Sequence, residues 1–554
     1  MTEGLKRGRH QSLYFDYPVF PFTPPAEMRG ERSHHKVAVV GGGPVGMVVA
    51  LELARRGIAS VVIEAADTLA EGSRAICFSR RSLEILEGVG VADAVIKKAL
   101  PWTRGTSYYR NRPVYHLEMP HSGDDKYYPM VNLQQCWLEQ FILDRVAAEP
   151  LIEMRWQSRV SDVRPAGDHV VLRVDTPDGE YSTTTDWLVA ADGARSAVRR
   201  ALGLKLNGTS YEGRYVIADI LIKHDYPTER RVWFDPPSNP GSTVIMHRQP
   251  DDIWRIDYQL LDDADEAEEL QERRIRERIQ AQLEMIGETA DWKLDWFSLY
   301  KAHALCLDNY VHGRVIFAGD AAHLVPIFGV RGLNSGLADA NNLGWKLAWL
   351  VNGWAAPELL GSYNDERRAA TLDVFENAIK STKFMTPPSR GYDLMRDAVL
   401  SLSLTETFAR PLINPRQSVP YTYQDGPLTS PDDPAFAAGP IPGDLPVNLH
   451  LGGGRYLLDH LGAGFTLISF GPPGGQVRER IARLPEPGTV VVVGEDVADP
   501  AGRIAAVYGA RQGTAYLVRP DGHIAARWHA GVSVEALEAA LARLKIGNAE
   551  VGHA

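Results

Sequence analysis

At 554 residues the chain is too long for one hydrophobic core, so two or three domains are expected. A hydrophobic fraction of 44%, a charged fraction of 23% and a net charge of -11 suit a globular enzyme and argue against nucleic acid or an anionic membrane surface as the main partner. The three cysteines, Cys77, Cys136 and Cys306, make neither a metal-ligand spacing nor a disulfide framework. The opening residues carry no apolar leader and no apolar run reaches membrane-spanning length, so the expectation is a cytoplasmic protein with no metal.

Residues 1–34, rich in Pro, aromatic and charged residues without periodicity, read as an arm that packs on the surface or on a neighbour. From Lys36 the strand and helix patterns alternate as in an α/β nucleotide-binding unit. The apolar run from Lys36 to Val40 breaks into glycines, with Gly41, Gly43 and Gly46 at the positions of a GxGxxG turn. Gly41 permits the tight turn, Gly43 lets the backbone approach a pyrophosphate, and Gly46 allows helix to pack on strand. A helix beginning at Pro44 and spanning 44–56 then turns its N-terminal amides toward that anion. A second strand, 61–64, ends in Glu64, placed to accept hydrogen bonds from a ribose diol.

Between residues 203 and 305 the pattern changes to strands, at 215–223, 231–234, 242–248 and 253–260, interrupted by a charged helix at 265–285. Such a sheet covers a substrate pocket. Alternation along 253–260 puts Arg255 and Asp257 on one face and Trp254, Ile256 and Tyr258 on the other. Tyr258, Trp254, His247 and Phe328 are the candidate pocket residues, each also readable as ordinary packing. Arg255 and Asp257 read as a structural ion pair.

The α/β signal returns at Gly313. A strand over 314–317 leads to Gly319 and Asp320, whose carboxylate stands at a strand end. Gly329, Gly332 and Gly336, with Leu333 and Asn334 among them, then open a helix over 335–352. Its dipole would face the pyrimidine edge of a flavin, which gathers negative charge on reduction. Two such fingerprints in this order describe one FAD held at both ends. Residues 425–446 are dense in Pro, Gly and Asp and read as a linker. A smaller α/β unit follows over 447–554, with strands at 465–470, 489–493, 515–518 and 524–528.

With these motifs the chain resembles the single-component, NAD(P)H-dependent aromatic hydroxylases that use FAD, the group that includes phenol, para-hydroxybenzoate and 3-(3-hydroxyphenyl)propionate hydroxylases. The resemblance covers residues 36 to about 370. It is carried by the glycine turn and Glu64, Arg74 with Ala75 and Arg81, Gln135 with Glu139, Asp192-Gly193 through Arg199, Gly319-Asp320 through His323, and Gly332-Leu333-Asn334 with Asp339. It implies a Rossmann-like FAD-binding domain (35–202 and 306–424), an inserted, mainly antiparallel substrate sheet (203–305) and a thioredoxin-like tail. It further implies that Arg74 contacts the FAD pyrophosphate, that Gln135 lies along the ribityl chain, and that Asp192 serves FAD and NAD(P)H. Taken alone, Arg74 also fits a surface cation, Gln135 a helix cap and Asp192 a turn. Arg331 departs from the family pattern. It either stabilises reduced flavin, attracts an anionic substrate, or pairs with an acid.

The implied activity is hydroxylation of a phenolic or other electron-rich aromatic with NAD(P)H and O2, through a flavin C4a-hydroperoxide. A flavin dehydrogenase or oxidase and a non-catalytic flavin-binding protein remain alternatives at this stage. A halogenase does not, because its Trp-x-Trp-x-Ile-Pro segment is missing. No general base stands out. The tail has Gly and Pro where an active thioredoxin has Cys-x-x-Cys, so it has no dithiol chemistry, and with the N-terminal arm it hints at a homodimer.

Overall fold

The computed structural model describes residues 11–72, 74–326, 330–413 and 419–543, so the pocket candidate Phe328 and the fingerprint residue Gly329 lie outside the described residues. The apolar run before the first glycines becomes His34–Val40, whose last four residues are buried. It pairs in parallel with Ser60–Ile63 on one side and Gly179–Ala190 on the other. Ile152–Arg155 and Val315–Phe317 extend the sheet beyond them, also in parallel. Near-continuous apolar strands of this kind belong in a parallel sheet covered on both faces.

Both fingerprints emerge at the same edge of this sheet, from the ends of strands that sit close together. The helices they open, Pro44–Ala54 and Gly332–Val351, cross at glycines. A Cβ on Gly336 would lie 2.6 Å from the Val45 side chain and one on Gly344 would lie 2.4 Å from Glu52 Cβ. Gly319 also rests on Val45. The late helix begins at Gly332, three residues before the expected start, because the backbone is already helical through Leu333 and Asn334.

The second sheet runs in the order His323–Leu324, Trp292–Cys306, Asn207–Ile222, Ile253–Leu260, Thr243–Arg248, Arg230–Phe234, Arg104–Tyr109, Arg112–Glu118. Its last two strands come from inside the segment read as nucleotide-binding. They form a hairpin that joins Arg230–Phe234 in parallel. One face is apolar: Trp254, Ile256 and Tyr258 pack with Ile275, Ile279 and Leu283 of helix Glu272–Met285. The expected charged helix is broken at Leu270, with Glu266–Glu269 as a separate turn.

The last unit holds a four-stranded sheet ordered Thr489–Val492, Thr466–Ser469, Ala515–Val518, Ile524–Trp528, with the first pair parallel and the others antiparallel. With helices Gly475–Ala482 and Val534–Arg543 this is a thioredoxin-like arrangement. It is not a loosely tethered tail. Trp345 and Trp349 of the late helix are buried with Phe465, Leu467 and Leu517. Arg519, fully buried, donates to both oxygens of Glu366 at 2.6 and 2.8 Å and to both oxygens of Asp521. Lys346 Nζ adds a 2.8 Å bond to Glu366. Residues 425–446 are likewise not a free linker. Gly443 N–H donates to Ile524 O, Arg527 pairs with Asp432, and Gly439 presses against the Tyr508 carbonyl. The N-terminal arm packs on its own chain: Phe20 stacks on Trp156 at 4.1 Å, and the Tyr17 hydroxyl accepts from Gly72 N–H.

Candidate cofactor cleft and substrate pocket

Gly41 adopts φ 108° and a Cβ there would lie 2.4 Å from the Ala191 carbonyl; a Cβ on Gly46 would lie 2.0 Å from the Gly41 carbonyl. Both glycines are demanded by the protein itself. Gly43 is different. Its φ of -74° suits any residue and no protein atom lies within 4 Å of its would-be Cβ. The missing side chain leaves open space at the start of helix Pro44–Ala54, which has no side-chain cap and no acid in its first turn. A cradle of this form, with free amides and a positive dipole end, fits a pyrophosphate.

Glu64 follows directly on strand Ser60–Ile63. Its oxygens accept from Gly42 N–H at 2.6 Å and Ala66 N–H at 2.8 Å, which fixes the carboxylate and leaves lone pairs for a ribose. Desolvation raises the pKa of Asp320, although the residue is exposed at its strand end. No described residue hydrogen-bonds to it. Exposed Arg74 is near enough to act electrostatically on both Asp320 and Glu139, and Glu139 in turn feels Glu64. Glu64 and Asp320 follow strands three neighbours apart, roughly 14 Å at about 4.8 Å per strand, so one extended dinucleotide reaches both.

Three other expected residues prove to be braces in this structure. Gln135 Oε1 accepts from Ala75 N–H at 2.9 Å while its amide donates to Glu139, which also accepts from Ala70 N–H; together they hold the loop carrying Arg74. Asp192 Oδ2 accepts from Ala197 and Val198 N–H and so caps helix Ala197–Ala201, leaving Oδ1 buried without a partner. The Asn334 amide oxygen accepts from Ser79 N–H and the Ser82 hydroxyl, and its nitrogen donates to Cys77 O and Val330 O. That ties the late helix to strand Cys77–Ser79. Gly332 and Leu333 form the first turn of this helix, and Arg331 is buried just before it.

Sequence reasoning gave Asp339 no role. Fully buried, it accepts from Gly319 N–H at 3.0 Å, pairs with His323 at 2.6 Å and takes Arg367 Nε at 2.7 Å. The Gly-Asp turn is thereby fixed from behind. Spacing alone carried no signal of this, because the partners are 16 to 28 residues apart.

The sheet's polar face, not its aromatic one, turns toward the cofactor cleft. Trp254 and Tyr258 therefore do not line the pocket: alternation places them in the apolar layer under helix Glu272–Met285. Arg255 does not pair mainly with Asp257, which lies 4.0 Å away. It makes a two-pronged contact with Asp219 at 2.8 and 2.9 Å and donates to the Arg74 carbonyl. His247 stands beside Arg255 across the strands and 3.9 Å from Cys77 Sγ. Burial, with the charges of Arg230 and Arg255, holds it well below the usual histidine range, so it is neutral. Burial pushes Asp257 up to about 7.

Two glycine-led helix starts, a ribose-ready carboxylate and an open strand-end aspartate define a flavoprotein with an FAD-binding α/β domain roofed by an inserted sheet. A family model described as "FAD binding domain" matches residues 34–378, and the chain belongs to that family. It is a flavin-dependent monooxygenase in kind. The 3-(3-hydroxy-phenyl)propionate/3-hydroxycinnamic acid hydroxylase of Mycolicibacterium smegmatis is 28% identical over 437 residues, 78% of this chain and 76% of that protein. The 6-methylpretetramide 4-monooxygenase of Streptomyces rimosus is 29% identical over 525 residues, 90% of this chain and 92% of that protein. In fold the chain is similar to the flavin-dependent monooxygenase PieE, solved with FAD and substrate, at TM-score 0.78 and 24% identity over 92% of this chain and 99% of that one.

Proposed function

We propose that the protein hydroxylates a phenolic or other electron-rich aromatic compound with NAD(P)H and O2. One observation carries this reading: the two fingerprints open helices that cross at glycines, their carboxylates Glu64 and Asp320 follow strands three neighbours apart in one sheet, and the inserted sheet reaches the Arg74 loop through Arg255. The relatives support the substrate class, being named for hydroxylation of hydroxyphenylpropionate and of 6-methylpretetramide.

When bound, FAD supplies hydride acceptance from NAD(P)H and oxygen transfer to the ring. This chain's residues supply the rest. The amides around Gly43 and the Arg74 cation hold the pyrophosphate, Glu64 the ribose, and Asp320 the ribityl hydroxyls. Asp339 and Arg367 keep the Gly-Asp turn in place. The sheet, tied to the Arg74 loop by Arg255, excludes water and positions the aromatic ring.

Two finer features belong to the proposal. A homodimer is supported by exposed apolar residues on helix Arg390–Ser403 and just beyond it, Leu394, Met395, Leu402, Phe408 and Leu412. A reducing, cytoplasmic location is supported by three buried cysteines, all free. The test is to purify the protein, record its visible spectrum, and screen phenols and hydroxylated aromatic acids for accelerated NAD(P)H oxidation. The expected product is heavier by one oxygen atom. Stimulated oxidation with product unchanged in oxygen content would make the protein a dehydrogenase or oxidase instead.

A further inference from the structure

Residues 12–20 of the N-terminal arm run as a strap along the loop that follows Glu64. At one end the Ser12 hydroxyl and the Leu13 N–H donate to the Asp295 carboxylate, on strand Trp292–Cys306 of the inserted sheet. Phe15, 5% exposed, stands edge-on to the rings of Trp137 and Tyr17, each 4.9 Å away. The Tyr17 hydroxyl accepts from Gly72 N–H at 2.9 Å. At the other end Phe20 N–H donates to the Asp67 carbonyl at 2.8 Å, and the Phe20 carbonyl accepts from the Gln157 amide at 2.9 Å. The Phe20 ring stacks on Trp156. The strap thus ties the inserted sheet to the nucleotide sheet and grips the loop at two points, Asp67 and Gly72. It lies ahead of the stretch that matches the family, which begins at residue 34.

The loop needs such a grip. No helix or strand lies between Ile63 and Cys77 among the described residues. Gly72 adopts φ 75°, and a Cβ there would lie 2.1 Å from the Trp296 indole, so this turn is pressed against the inserted sheet two residues before Arg74. Gln135 and Glu139 hold the loop from the helix side, and Arg255 takes the Arg74 carbonyl. The outer side belongs to the arm. Gly72 is buried, and a buried N–H that loses its acceptor is costly. Each loop residue left loose would have to be fixed when the cofactor arrives, at about tenfold in affinity.

We propose that Tyr17 and Phe20 are positioning residues of the cofactor site: through Gly72 and Asp67 they hold the loop so that Arg74 is in place before FAD binds. The inference rests on Arg74 holding the pyrophosphate and is independent of which aromatic compound is hydroxylated.

The test reads FAD affinity by fluorescence quenching, with the melting temperature of each FAD-free protein as a check on folding. It compares wild type, Tyr17→Phe/Phe20→Ala, Arg74→Met and the chain carrying all of these changes. Phe15 is kept, so the arm stays docked. The arm variant should bind FAD about tenfold more weakly, and Arg74→Met should lose about as much. Added to Arg74→Met, the arm changes should weaken binding by no more than about threefold, because the cation they place is gone. Tyr17→Phe alone keeps the ring and removes the acceptor of Gly72 N–H; it should weaken FAD binding about threefold in the same Arg74-dependent way. Phe20→Tyr keeps the stack on Trp156 and should bind FAD like wild type. Wild-type affinity in the arm variant, or losses that multiply to about a hundredfold in the combined chain, would overturn the proposal and make the arm a packing segment. Wild-type affinity in Arg74→Met would sink the Arg74 assignment with it, while hydroxylation of an aromatic by the same protein would leave the hydroxylase reading standing.

Discussion

Gly43 and Gly46 sit three residues apart in one fingerprint, yet the structure assigns them opposite reasons for being glycine. Gly46→Ala drives a Cβ to within 2.0 Å of the Gly41 carbonyl and 3.2 Å of Val39 Cγ1. Backbone cannot yield as a side-chain tip does, so the cost should reach about 3 kcal/mol, the upper part of the overpacking range. Gly43→Ala meets nothing and keeps an allowed backbone. Losing glycine at the helix N-cap costs about 0.5–1 kcal/mol, and the stiffer unfolded chain returns about 0.4–1 kcal/mol. Its fold should be nearly unchanged. Its FAD affinity should not: a methyl group between the amides and the pyrophosphate displaces charge-assisted hydrogen bonds of about 1.5–3 kcal/mol each. The assay pairs thermal unfolding of the FAD-free proteins with FAD titration by fluorescence quenching. Gly46→Ala should melt markedly lower, while Gly43→Ala should melt like wild type and bind FAD about 10- to 100-fold more weakly. Wild-type FAD affinity in Gly43→Ala would refute the assignment of the open cradle to the pyrophosphate.

Three further outcomes are expected. Arg519→Met takes away the guanidinium that holds the buried carboxylates of Glu366 and Asp521 well below the usual range, leaving Glu366 with Lys346 and Asn342 and Asp521 with Asn342 and Trp345. It should cost about 3–5 kcal/mol, read as a lowered melting temperature and protease cleavage before residue 447. Replacing Glu366 and Asp521 by Gln and Asn in the same chain should recover much of the loss. Burial raises Glu139 to about 7. Between about pH 4.5 and 7 the unfolded chain therefore loses its proton first, and Glu139 makes the FAD-free protein less stable as pH rises. The melting temperature of Glu139→Gln relative to wild type should climb from pH 5 to pH 8, and a flat difference would contradict the shift. Asp320→Asn should weaken FAD binding about tenfold with no loss of FAD-free stability, since no described residue hydrogen-bonds to the Asp320 side chain and burial already raises its pKa; equal loss of stability would make it a structural residue.

The parts of the fold written in short-range pattern were legible in the sequence. The strand, glycine turn and helix from His34 to Ala54 are local, and so are strands Ile253–Leu260, Ala515–Val518 and Ile524–Trp528, whose observed ends match the expected ones. What depends on long-range pairing was not. The hairpin Arg104–Glu118 reads as part of the nucleotide unit until Arg230–Phe234 recruits it. Residues 425–446 look like a linker because Pro and Gly dominate them, although their backbone bonds go to the last sheet. Alternation splits Arg255 and Asp257 from Trp254 and Tyr258, but it does not say which of the two faces a helix covers. Aromatic residues fill a protein layer as readily as a binding site, and here helix Glu272–Met285 needed them.

A crystal structure of the protein with FAD tests the central claim most directly. The account predicts one continuous FAD whose ribose hydroxyls lie within hydrogen-bond distance of the Glu64 carboxylate and whose ribityl chain reaches Asp320. FAD touching only one of these two residues, or a protein that takes up none, would contradict it.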